Sequence, residues 1–162
     1  MPTNQRQNGR TAEGVLLDDT NLALLGELQS DARLSLAELG RRVGLSSPAV
    51  AERLQRLEGD GVIRGYRAEL DPAALGYALS AVIRVRPAPR QLHKVADVAR
   101  NAPEVVECDR ITGEDCYLIK AHIRSMTHLE ELLDELAPFG QTTTSIIQSS
   151  PVPLRGIAVG RT

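Results

Sequence analysis

At 162 residues, with 19 Lys and Arg against 21 Asp and Glu and a formal net charge of −2, the chain suits one medium domain or two small ones. Its 42% hydrophobic and 25% charged residues describe a soluble globular protein, and no apolar run approaches membrane-spanning length. With no Trp and only Tyr66, Tyr77, Tyr117 and Phe139 as aromatics, the core must be aliphatic and stacking on single-stranded nucleic acid is disfavoured.

Residues 1–14, MPTNQRQNGRTAEG, lack the apolar stretch of a secretory signal and predict a disordered tail on a cytoplasmic protein. A first domain follows over 15–68. Its opening helix is predicted from about Asp19 to Ser30, with acids at the start and Leu22, Leu25 and Leu28 on one face. Ser35-Leu36-Ala37-Glu38 forms a capping box for a second helix, in which Ser35 caps and Glu38 reaches back; Leu36, Leu39 and Val43 supply its buried side. Gly44 permits a tight turn, Ser46 or Ser47 caps a third helix with Pro48 in its first turn, and that helix ends before Gly59 and Gly61. VIRGYRAEL, 62–70, alternates loosely, as a short hairpin or an extended arm. Three helices and a β arm make a winged helix-turn-helix, although an ordinary three-helix bundle would need the same core residues.

On the third helix, steps of about 100° per residue from Val50 bring Leu54 and Leu57 inward. Pro48, Ala51, Glu52, Gln55 and Arg56 point away, Ser47 sits at the exposed N-terminal end, and Arg53 lies at the border. Small residues there permit approach to the major groove, and Gln55 and Arg56 suit base edges. Ser47, the helix N-terminal N–H groups, Arg41, Arg42 and Arg53 suit phosphates, with Ser46 and Arg64 beside them as further candidates. Glu52 either accepts from a cytosine amine or pairs with Arg56 four residues on; the pair is favoured. Residues 33–67 carry Arg33, Arg41, Arg42, Arg53, Arg56, Arg64 and Arg67 against Glu38, Glu52, Glu58 and Asp60, so the basic surplus is concentrated around this helix.

A linker is predicted over 69–77, around LDPAALG, and a second domain over 78–150. Its strands are LSAVIRVR (79–86), VVECDRIT (105–112), CYLIKAHI (116–123) and TTTSIIQS (142–149), with helices near Leu92–Asn101 and Met126–Ala137. The order is βαββαβ, so the chain as a whole is α+β: a winged helix-turn-helix followed by a ferredoxin-like sandwich. Both helices cover one sheet face. Val82, Val106 and Leu118 on the other are too apolar for water, which predicts a homodimer joined sheet to sheet. Cys108 and Cys116 flank a two- or three-residue turn at Gly113 and Glu114 in a geometry that disfavours a disulfide. Residues 151–162 form an extension rich in turn formers.

The stretch from Leu17 to Gly76 closely resembles the N-terminal half of the feast/famine, or Lrp/AsnC, regulators. The block Gly44-Leu45-Ser46, Val50, Arg53, Leu57, Gly61-Val62-Ile63 and Gly65-Tyr66 carries the likeness. APEVVECDRITGEDCYLIKAHI and TTTSII are similar to the family's effector-binding domain, so the resemblance spans roughly 16–149. It implies dimers, often assembled into octamers, that bind double-stranded DNA and respond to an amino acid or related small molecule. It also implies an effector site at the loop Thr112, Gly113, Glu114 and Asp115, with Thr142 and Thr144 as neighbours. Gly113 would leave N–H groups open to a carboxylate, and Asp115 could accept from an ammonium. The chain departs from the family at Cys116, where many members place an acid before the tyrosine. It also runs on after the last strand, where SSPVPLRGIAVGRT is free to reach a neighbouring subunit.

Two other classes compete. A purely architectural DNA-binding protein would need no effector. A small ferredoxin-like enzyme would leave the N-terminal helices unexplained; His93, His122 and His128 share no metal-ligand spacing, and no P-loop, nucleophile elbow or paired-carboxylate motif is present. The sequence therefore predicts a ligand-responsive regulator, not an enzyme, with no metal or cofactor.

Overall fold

Asp18 opens the first helix by accepting the Asn21 N–H on its carboxylate at 2.7 Å. The structure, a computed structural model, describes residues 17–159, so the tail expected over 1–14 lies outside it. The described chain divides into two units. One comprises 17–68 together with 154–159, and the other is Glu69–Pro153.

In the first unit α1 is Asp19–Ser30, α2 Leu36–Val43 and α3 Ser47–Gly59. Ser35 caps α2 by accepting the Glu38 N–H at 3.2 Å. Ser46 occupies the cap position of α3 without a side-chain bond, and Pro48 sits in its first turn. Gly44 ends α2 at φ 72°, a left-handed conformation that most side chains resist. Leu24, Leu39, Val50, Leu54 and Leu57 form the buried centre, with Leu25, Leu28, Val43, Leu45, Val62 and Ile63 packed around it. Two expectations shift. The inward face of α1 is centred on Leu24 rather than on a Leu22–Leu25–Leu28 stripe, because Asn21, Leu24 and Leu28 recur at helical spacing. Leu36, in the first turn of α2, is 42% exposed and does not join the core.

Beyond Asp60 the chain turns at Gly61, φ 72°, and the N–H groups of Val62 and Ile63 both donate to Leu57 O, at 2.9 and 3.0 Å. From Arg64 the arm makes no strand pairing, so the short hairpin, one of the two forms expected, does not form. Tyr66 Oη donates to Glu58 Oε1 at 2.8 Å and ties the arm to the end of α3. The described end of the chain also belongs to this unit. Gly156 lies against Gln29 and Val159 against Gly26, so these residues rest on α1. A bare backbone at Gly156 permits that close approach.

The second unit opens with a short 3-10 turn, Ala73–Leu75, inside LDPAALG. It then runs β1 Leu79–Pro87, α4 Leu92–Asn101, β2 Val105–Arg110, β3 Tyr117–Ile123, α5 Met126–Leu136 and β4 Gly140–Ile146. The antiparallel sheet has the order β2-β3-β1-β4 expected of a ferredoxin-like sandwich. Period-two alternation sends Ala81, Ile83, Val85, Ile119, Ala121 and Ile123 to the face covered by α4 and α5, where they pack on Val95, Leu129, Leu132 and Leu136. The other face aligns Val82 with Lys120 and Arg84 with Leu118. A bulge between Val105 and Glu107 leaves Val106 58% exposed. The β2–β3 connection is longer than the two or three residues expected: Ile111 N–H donates to Cys116 O at 2.9 Å, closing a loop over Thr112–Asp115. Both cysteines are free thiols.

Gly40 is the tightest point of the helix-turn-helix. A Cβ there would penetrate the Leu45 carbonyl oxygen, a backbone atom that cannot step aside without moving the turn. Gly40→Ala should therefore destabilise the chain by about 1–3 kcal/mol, the usual cost of overpacking. Denaturant unfolding followed by circular dichroism measures it, and an unchanged midpoint would show that the turn relaxes freely.

Candidate functional site

The third helix presents the face its periodicity requires. Val50, Leu54 and Leu57 are buried; Pro48, Glu52, Gln55 and Arg56 are exposed, Ser47 and Ala51 are half-buried, and Ser46 stands exposed before them. These side chains therefore share one accessible strip along α3, led by the N-terminal end of the helix. Arg64 lies exposed on the arm that follows.

The arginines are more occupied than a basic patch suggests. Glu38 accepts two bonds from Arg41, at 2.9 and 2.6 Å, and one from Arg42 Nε at 2.8 Å. Arg42 Nη1 also donates to Glu27 on α1 at 2.6 Å. Glu38 thus does not reach back to the cap residue as a capping box requires; two forked cations one turn ahead attract the carboxylate more strongly than a backbone N–H. Its hydrogen bonds to Arg41 and then Arg42 depress its pKa from the ordinary 4.5 to about 2. Glu52 pairs with Arg56, as favoured from the spacing. Partial desolvation, then the bond to Glu58, pushes the Tyr66 phenol up to about 12.

Arg53, a phosphate candidate by position, turns toward α1. Its Nη1 donates to Asp18 Oδ2 at 2.7 Å and to Asn21 Oδ1 at 3.0 Å. That hydrogen bond, then the one from the Asn21 N–H, lowers the Asp18 carboxyl below its usual range. Asp18, Asn21 and Gly40 hold the helices of this unit together and carried no role in the reading of the sequence. A polar residue at an inward helical position, as Asn21 is relative to Leu24 and Leu28, was the available signal for one of them.

In the second unit the loop Thr112–Asp115 carries Gly113 at φ 114°. Glu114 pairs with Arg86, and Asp115 lies near both Arg84 Nε, at 3.9 Å, and Arg86 Nε, at 3.7 Å. Asp115 and Cys116 diverge: the carboxylate goes to the two arginines while Cys116 packs against the core. Arg84 and Arg86 stand on the helix-free face. Thr142 and Thr144 do not join them, because they align with Val85 and Ile83, whose side chains enter the core on the other face. The loop and the threonines share one end of the sheet but not one side of it.

A groove of about 430 Å³ lined by Tyr77, Glu104, Arg124, His128 and Glu131 lies at the opposite end of β3 from this loop. Within it Arg124 stacks 5.0 Å from the Tyr77 ring centre and His128 Nε2 lies 3.5 Å from Glu104. His122 faces Ser80 Oγ at 3.0 Å and His93 is exposed. Among the described residues no His, Cys, Asp and Glu cluster suits a metal ion, and no helix is long and apolar enough to cross a membrane.

Comparison with known proteins agrees with this architecture. Residues 17–58 match the AsnC-type helix-turn-helix domain and residues 80–157 the Lrp/AsnC ligand binding domain. The HTH-type transcriptional regulator LrpC of Bacillus subtilis is 34% identical over 133 residues, 82% of this chain and 92% of LrpC. The LrpC structure superposes with a TM-score of 0.82 at 32% identity, covering 86% of this chain and 100% of that one. The Neisseria meningitidis transcriptional regulator NMB0573, solved as its L-Met complex, superposes with a TM-score of 0.78 at 31% identity over 86% of this chain and 94% of that one. The feast or famine regulatory protein Rv3291c of Mycobacterium tuberculosis, complexed with L-methionine, gives 0.82 at 34% identity over 88% and 99%. A helix-turn-helix joined to a ligand-binding α+β domain defines a transcription regulator. The chain belongs to the Lrp/AsnC family of DNA-binding transcription regulators. These relatives are named as regulators rather than enzymes.

The Glu38 pairs make a pH-dependent prediction. A carboxyl depressed to about 2 on folding stabilises the chain above its ordinary value of 4.5, and that stability disappears as pH falls toward 2. The stability gap between wild type and Glu38→Gln should therefore be present at neutral pH and close between 4.5 and 2. Urea unfolding across that range checks it, and a gap that persists at pH 2 would assign the effect to something other than charge.

Proposed function

We propose that the chain reads specific duplex DNA sequences as a cytoplasmic regulator and that an amino acid or related small molecule controls it. The reading rests above all on the accessible strip of α3, which a buried opposite face holds outward. Gln55 and Arg56 are placed for base edges, while Ser46, Ser47, Pro48 and Ala51 allow the start of the helix to approach the groove. Glu52 orients Arg56. Arg41, Arg42 and Arg64 supply positive charge for phosphates, and the first two exchange a glutamate for the backbone as they do so.

The effector site is placed at Thr112–Asp115 with Arg84 and Arg86. An amino acid is zwitterionic, and the loose contacts of Asp115 with the two arginines are of the kind a zwitterion replaces: its carboxylate takes the guanidinium groups and the Gly113 region, and its ammonium takes Asp115. The L-methionine complexes of two relatives support this ligand class. Thr142 and Thr144, on the other side of the sheet, bound the site only from the core. The helix-free face, with Val82, Leu118 and the bulged Val106, is suited to a second copy of the domain, so the functional form is a homodimer assembling further into an octamer. The linker over 69–77 separates reader from effector domain, and the domain limits of 15–68 and 78–150 belong to the same proposal.

A gel shift on DNA upstream of the protein's own gene, repeated with each amino acid, tests the reading. Retardation that one amino acid alters supports a regulator; retardation indifferent to all of them and to sequence makes the protein architectural. Gln55→Ala and Arg56→Ala should each relax sequence preference at a cost of about 1–3 kcal/mol on the specific site, and equal weakening on random DNA would make them bystanders. Gly113→Trp should abolish the effector response and leave effector-free DNA binding intact. A surviving response moves the pocket elsewhere.

A further inference from the structure

Arg41 and Arg56 pair with a glutamate three or four residues away on their own helix. Arg42 divides itself between Glu38 and Glu27 of α1, whereas both partners of Arg53 lie at the start of α1, the cap residue Asp18 and Asn21, 35 and 32 residues earlier in the chain. The Asp18–Asn21–Arg53 triangle is closed: one carboxylate oxygen of Asp18 caps α1 through the Asn21 N–H, the other accepts from Arg53, and Asn21 Oδ1 accepts from the same nitrogen. Asn21, 8% exposed, is the buried polar residue of the described chain, and no buried side-chain N or O there lacks a partner. The Arg53 and Asp18 side chains are 31% and 30% exposed, so solvent reaches the pair and its contribution is the geometry it fixes rather than its strength.

From this geometry we infer that Arg53 is a positioning residue, which fixes the attitude of α3 against the start of α1, and not a phosphate clamp. The inference rests on the DNA-reading function proposed above. With Nη1 held by Asp18 and Asn21, a phosphate gripped by the other guanidinium nitrogens would lie close to the Asp18 carboxylate, and swinging the whole fork outward would break both bonds to the start of α1. The arm is better suited to that task. Arg64 and Arg67 are exposed and have no carboxylate partner among the described residues. Base readout needs bidentate groups held to within a fraction of an ångström, so a brace that sets the tilt of α3 contributes to selectivity while touching no base.

Asp18→Asn separates the two roles by sign, since asparagine keeps the helix cap and removes the charge. The measurement is fluorescence anisotropy over a KCl series, with a duplex selected by the wild-type protein from a random pool and a scrambled duplex of equal length. A positioning role predicts that Asp18→Asn and Arg53→Ala lose selected-over-scrambled preference by about tenfold, as for one base contact. Their affinity for the scrambled duplex and the slope of log K against log salt should stay as in wild type. Arg64→Ala should instead lower that slope by about 0.9, one phosphate contact, and keep the preference.

Tighter binding of both duplexes by Asp18→Asn, or a slope reduced by about 0.9 in Arg53→Ala, would make Arg53 a clamp and overturn the inference. So would unchanged preference in Asp18→Asn with only a lower melting temperature, which is what a purely structural contact produces. Because Asp18→Asn leaves the arginine in place, the answer does not depend on Arg53→Ala remaining folded. Wild-type protein that binds neither duplex would refute the DNA-reading function itself, a distinct outcome.

Discussion

Burial of one side of α3 is the constraint from which the rest of the reading unit follows. Val50 is fully buried, Leu57 nearly so, and Leu54 close behind, against Leu24 of α1 and Leu39 of α2. A helix held by three residues at that spacing has no freedom to rotate, so what it shows to solvent is decided by what it hides. The turn before it is equally constrained. Leu45 N–H donates to Gly40 O at 2.8 Å, and only a residue without a side chain fits beneath that approach.

Electrostatics then reconcile a chain of net charge −2 with a polyanionic partner. The first unit does not carry a bare basic surface; it carries guanidinium groups already paired with Glu27, Glu38, Glu52 and Asp18. Exposed pairs of this kind contribute little to stability, but they hold long side chains in defined positions and lower non-specific attraction. Such restraint suits the sequence-reading role proposed for this unit. The same chemistry recurs around Arg84, Arg86, Glu114 and Asp115, where exposed ion pairs surround the loop proposed for the effector.

In the second unit a one-sided sandwich leaves the outer sheet face as the unsolved surface. Mixed apolar and charged residues there, Val82 beside Lys120 and Leu118 beside Arg84, suit a partner surface better than open water. The bulge at Val106 is placed on the edge strand β2, where it leaves an apolar side chain exposed.

Sequence by itself determined the element order and most helix boundaries, while β2 ends two residues earlier than expected and β4, Gly140–Ile146, lies two to three residues before the expected 142–149. The period of 3.6 in the first half and of two in the second is a local property, written wherever one side of a helix or strand is buried. Ser35, Gly44 and Gly113 were legible for the same reason, because a cap or a left-handed turn depends on its own few residues. Tertiary structure alone decided which charges meet between separate elements, whereas the Glu52–Arg56 pair was legible from its spacing. Arg53 finds Asp18 and Asn21 because α1 crosses beside α3, and Thr142 and Thr144 face the core because the register of β4 on β1 sets their side. Partner choice among long polar side chains depends on distances across the fold, and those exist only after the helices and strands have packed.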